Sequence, residues 1–87
     1  MMVEYPGEGE VVEASSCRFL IDADGSNVEI AIDGDGWQTC RRVDGVWAFD
    51  CSFPEPGRHQ ALIRCEGADG GEPAYRTCRF LVAADAR

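Results

Sequence analysis

The stretch that most constrains this chain is Val28–Cys65, VEIAIDGDGWQTCRRVDGVWAFDCSFPEPGRHQALIRC, where runs of alternating apolar residues are separated by DGDG, DG and PEPG. A period of two puts successive side chains on opposite faces of a strand, so each run buries one face and shows the other to water. No stretch of the 87 residues holds a 3.6-residue period flanked by capping residues, so no substantial helix is expected. A chain of half-buried strands covers its apolar faces by packing sheet on sheet.

Taken in order, Ser16–Asp22 puts Cys17, Phe19 and Ile21 on one face, and Val28, Ile30 and Ile32 do the same in the next run. Trp37–Val43 reads as a short strand. Asp44-Gly45 between Val43 and Val46 is the strongest hairpin signal, because a type I′ turn needs positive φ at both central residues. Val46–Phe53 aligns Trp47, Phe49, Cys51 and Phe53. Pro54 and Pro56 cannot donate to a ladder and end that run. His59, Ala61, Ile63 and Cys65 then resume the phase, and Cys78, Phe80 and Val82 carry it through Ala74–Val82. Six or seven short strands at such spacing predict an all-β sandwich of about seven antiparallel strands over residues 10–83. Residues 1–9 are expected to be a flexible lead-in and 84–87 a tail.

The motifs V-E-I-A-I-D-G-D-G-W, G-V-W-A-F-D and F-P-E-P-G-R-H-Q-A-L-I-R-C resemble the repeat of bacterial immunoglobulin-like domains, with similarity running from Pro6 to about Val82. The resemblance implies an immunoglobulin-like sandwich whose members space, display or bind, and it carries no catalytic residue. It also implies a bridge between the second and sixth strands, Cys17 to Cys65. Cross-strand geometry leaves Cys65–Cys78 and Cys40–Cys51 as rivals. Five free thiols, buried as small hydrophobes in a reducing compartment, account for the same positions. Cys40 is the one cysteine not clearly in phase.

Composition narrows the partners. Sixteen acidic residues face eight arginines, lysine is absent and the net charge is −8. A phosphate backbone needs clustered cations, and an anionic membrane surface needs the same, so neither nucleic acid nor membrane insertion is expected. No signal peptide or apolar span is visible. A cytoplasmic or virion location follows if the chain is complete, and an extracellular one if it is a domain of a longer protein.

The chemistry-bearing residues are few. His59 is the sole histidine, and six residues of extended chain hold Cys65 about 20 Å from it, so no thiol–imidazole dyad is expected along that strand. Asp33 and Asp35 are the nearest approach to a calcium loop, without the full D-x-D-x-D-G spacing. Trp37 and Tyr75 are candidates for ligand or partner contact, and with them Arg76 and Arg79, expected to point outward beside an edge strand that accepts another strand.

The expected function is therefore a non-enzymatic interaction or structural module without a cofactor, docking on a larger assembly such as a phage particle or acting as a spacer in a surface protein. The competing expectation is a small-ligand module for carbohydrate or calcium, built on Trp37 and the acidic turns.

Overall fold

The computed structural model describes residues 1–13, 15–25, 27–53, 55–67 and 72–83. Among them are nine strands and no helix: β1 (Met2–Tyr5), β2 (Val11–Val12), β3 (Ser16–Asp22), β4 (Val28–Ile32), β5 (Gln38–Thr39), β6 (Arg41–Val43), β7 (Val46–Ser52), β8 (Gly57–Cys65) and β9 (Ala74–Val82). They form two sheets, in the orders β1-β3-β7-β6 and β2-β9-β8-β4-β5. Every neighbouring pair is antiparallel except β2, which runs parallel to β9.

The two sheets share one core. Phe19 and Ile21 from the first sheet and Val28, Ile30, Ala61 and Ile63 from the second are fully buried. Phe80 of β9 sits edge-on to Phe19, with ring centroids 5.5 Å apart, and to Phe53 at 5.4 Å. Such pairs contribute about 0.5–1.5 kcal/mol each beyond the area they bury. The alternation of apolar residues thus does what its period requires: β3 buries Cys17, Phe19 and Ile21, and β9 buries Cys78, Phe80 and Val82.

Turn chemistry also holds. Asp44 and Gly45 have φ of 50° and 86°, the two left-handed positions that a two-residue β6–β7 hairpin needs. Asp33 and Gly34 repeat this with φ of 52° and 81°, closed by the Asp35 amide donating to the Ile32 carbonyl at 2.9 Å. Gly25 is required for room: a Cβ there would strike the Glu66 carbonyl and the Cys65 sulfur.

Three expectations need correction. Residues 1–9 are not all lead-in, since Met2–Tyr5 pairs with β3 and Val3 and Tyr5 pack against the core. The strands number nine rather than seven, because Met2–Tyr5 adds one and the expected strand over residues 37–43 divides into two, and β2 forms one parallel pair with β9. Trp37–Val43 is not one strand: the chain leaves the five-stranded sheet after Thr39 and enters the four-stranded one at Arg41. Cys40 lies at that crossing, 3% exposed, which explains why its phase matched neither neighbour. The 84–87 tail lies outside the described residues, as do Pro54 of the PEPG corner and 68–71 of the loop before β9.

Candidate interaction surfaces

Alternation decides which side chains leave the core, and the outer faces of the two sheets differ. On the four-stranded sheet, Arg18, Asp50 and Arg41 face out together. Arg18 Nε donates to Asp50 Oδ1 at 2.8 Å and Arg41 Nη2 to Asp50 Oδ2 at 2.9 Å, and hydrogen bonding to these two guanidinium groups holds the Asp50 carboxyl below its ordinary pKa. One carboxylate is thus shared by two guanidinium groups.

The five-stranded sheet presents a different row. Ladder register aligns Glu29, Arg64 and Tyr75 across β4, β8 and β9. Arg64 Nε donates to Glu29 Oε1 at 2.9 Å, and its guanidinium lies 4.0 Å from the centroid of the Trp37 ring, a cation–π stack. Further along the same face, Leu81 and Val11 are register partners, 39% and 50% exposed, and Tyr75 is 56% exposed. Arg58, Gln60, Arg79 and Leu81 line a shallow depression of about 420 Å³ near the start of β8. Among the described residues, three of the five large apolar side chains that remain exposed lie on this one face.

The sequence candidates sort accordingly. Trp37 and Tyr75 are brought to the same face through Arg64, a residue the sequence reading passed over because its importance depends on cross-strand register. Arg76 and Arg79 are not side by side. Residues three apart in a strand face opposite ways, so Arg79 is on the outer face, 3.4 Å from Glu8, while Arg76 turns toward the N-terminus and donates to the Met1 carbonyl at 2.7 Å. The final strand is only partly an edge. Gly9 donates to the Arg79 carbonyl, the Arg79 and Leu81 amides donate to the Glu8 carboxylate and Glu10 carbonyl, and β2 covers the strand's end.

His59 has a partner after all. The β4–β8 ladder continues one step past Ile32, where the Asp33 amide donates to the Gln60 carbonyl at 2.8 Å, and this brings the Asp33 carboxylate to the imidazole. Asp33 Oδ2 lies 2.6 Å from His59 Nδ1, and the Glu55 carbonyl lies 2.8 Å from Nε2. Both neighbours are acceptors, so the arrangement calls for a proton on each ring nitrogen. Burial alone pushes the imidazole pKa down, but the Asp33 and Glu55 hydrogen bonds outweigh it and the net shift is upward. The pair clamps the acidic turn and the Pro-Gly corner to β8. Asp33 Oδ1 also accepts the Gln60 amide, so the turn's first carboxylate is occupied. Asp35 stands beside it, and no group of three His, Cys, Asp or Glu suited to a metal occurs among the described residues.

All five thiols are free. Cys17 faces Cys51 across the β3–β7 ladder, whereas Cys65 sits beside Gly25, beyond the other end of β3. Five residues of strand, roughly 16 Å, separate those two ends, which puts a Cys17–Cys65 bridge out of reach. Burial pushes the Cys17, Cys40 and Cys78 thiols up to about 11, so they remain protonated and poorly nucleophilic near neutrality.

No protein-family model matches this chain, and a search of curated proteins returns no match. No helix among the described residues is long and apolar enough to cross a membrane.

Proposed function

We propose that this protein is a non-enzymatic, immunoglobulin-like interaction module that docks another protein on the outer face of its five-stranded sheet. The strand orders support the immunoglobulin-like part of this reading. With β1, β3, β7 and β6 as A, B, E and D, and β9, β8 and β4 as G, F and C, they follow the arrangement of that fold. Two hallmarks of antibody domains are missing: β4 carries no tryptophan, and β3 and β8, in the B and F places, carry no bridge.

The observation that carries the docking face is the grouping of Trp37, Arg64 and Tyr75 at one end of an outer face whose other end exposes Leu81 and Val11. Trp, Tyr and Arg are the residues most enriched at protein interfaces and their energetic centres. A sugar platform is less well served, since the Arg64 guanidinium already stacks on the Trp37 ring. The thiols and the doubly engaged imidazole support a non-catalytic role in the same way.

Site-specific photo-crosslinking tests the reading. A photoreactive side chain at Tyr75 should capture a defined protein from the source cell or particle, and Arg64→Glu should abolish capture while the protein stays folded. The same probe at Arg18, on the ion-paired face, should capture nothing in common. Quenching of Trp37 fluorescence by a sugar, saturable and lost in Trp37→Ala, would overturn it in favour of a ligand module.

A further inference from the structure

A second surface lies on the side of the sandwich where the chain changes sheets. Because residues 38–43 are divided between β5 and β6, β6 is three residues long and covers only Val46–Ala48 of β7. The rest of β7, Phe49–Ser52, has no strand on that side among the described residues. Phe53 donates its amide to Ser15, on the β3 side, and in an antiparallel strand the bonding direction alternates from residue to residue. The amides and carbonyls of Asp50 and Ser52 therefore point to the open side. Across the gap, β4 is closed, for Ile30 pairs with Gln38 and the Ile32 carbonyl accepts the Asp35 amide.

Between these walls runs a cleft of about 410 Å³. Ile32 and the half-buried Phe49 and Cys51 give it an apolar floor, and Asp33, Asp35 and Glu55 give it an acidic rim. His59 is ion-paired with Asp33, and neither the Asp35 nor the Glu55 carboxylate has an ion-pair partner among the described residues. An open strand edge, a row of inward apolar side chains and uncompensated carboxylates on a protein of net charge −8 together define their complement.

We infer that this cleft binds an extended, basic segment of a partner protein, whose inward-facing residues include both apolar side chains and Lys or Arg, by adding it as a strand to β7. Backbone hydrogen bonds to Asp50 and Ser52 supply affinity, and on the inward face the apolar residues fill the floor while the cations meet Asp35 and Glu55. The open stretch of four residues spans roughly 13 Å, enough for a docked strand of four or five residues. A second copy of this acidic chain would bring like charge to the rim. The inference does not rest on the sheet-face reading, since the two surfaces share none of the residues that carry them.

The test is an NMR titration of the ¹⁵N-labelled protein with the peptide Lys-Ser-Val-Ser-Lys-Ser-Val, whose Lys and Val side chains share one face of a strand, and separately with its counterpart carrying Glu for Lys, up to about 1 mM. The expected result is saturable shifts centred on the Asp50 and Ser52 amides with the basic peptide alone. Affinity should fall at least about tenfold in the double variant Asp35→Lys/Glu55→Lys. Ser52→Pro, which removes only the outward-facing donor, should abolish the shifts while the protein stays folded. Shifts confined to the Trp37–Tyr75 face, equal binding of the two peptides, full affinity in the charge-reversed protein or no saturable shift would each overturn the inference. If Ser52→Pro does not fold, the charge-reversed protein and the acidic peptide still decide it.

Discussion

The two long sides of the sandwich are finished differently. On one side the segment Pro6–Val12 runs along β9: the Cys78 thiol donates to the Pro6 carbonyl, Glu8, Gly9 and Glu10 bond Arg79 and Leu81, and β2 pairs with the strand's end. On the other side, six residues are shared between two sheets, and they close β4 but cover only part of β7. A strand edge is a template for further pairing unless something covers it. This chain covers one edge with its own N-terminus and leaves β7 open above an acidic cleft, and the difference lies in how many residues each crossing has available.

The largest expected effect falls on the cluster both sides lean on. Phe80 packs against Phe19, Phe53 and His59, and Phe80→Ala should cost about 3–5 kcal/mol in chemical denaturation; a loss below about 1 kcal/mol would mean that the sheets are not joined there. On the sealed side, Glu8→Ala removes the acceptor for the Arg79 amide at an exposed site and should cost about 0.5–1.5 kcal/mol.

The clamp on the open side should titrate. His59 has a raised pKa in the folded protein, so its contribution is fully present below the unfolded value of about 6.5 and is lost as pH rises through the folded value. Tm should therefore decline as pH rises above about 6.5 by an increment that His59→Gln eliminates. An equal decline in the variant would assign the effect to other groups. The smallest effect belongs to the open edge, where Ser52→Pro should change stability by no more than about 1 kcal/mol, against about 3 kcal/mol or more where an interior ladder bond is lost.

Much of the fold was legible in the sequence, because period-two patterning marks Phe19, Ile21, Ile63 and Phe80 as core and Asp44-Gly45 as a hairpin without reference to anything distant. The surfaces were legible only in part. Trp37 and Tyr75 stand out by residue type, but their connection through Arg64 depends on the register of β8 against β4 and β9, which local sequence does not carry. The Asp33–His59 pair escaped for the same reason, as 26 residues of chain separate the two. Arg76 and Arg79 lie on opposite faces of β9, a parity constraint available from the spacing alone. The N-terminal strand was missed because four residues ending in Tyr5-Pro6 carry too little pattern, and β1 is held by its neighbours rather than by its own propensity.

Amide hydrogen exchange along β7 and β9 tests the contrast between the two sides most directly. The account predicts that Asp50 and Ser52, whose amides face the open side, exchange much faster than Phe49, Cys51 and Phe53, whose amides face β3. It also predicts that Arg79 and Leu81, held by Glu8 and Glu10, exchange slowly despite lying on the outermost long strand of their sheet. Uniform protection along β7, or fast exchange at Arg79 and Leu81, would contradict it.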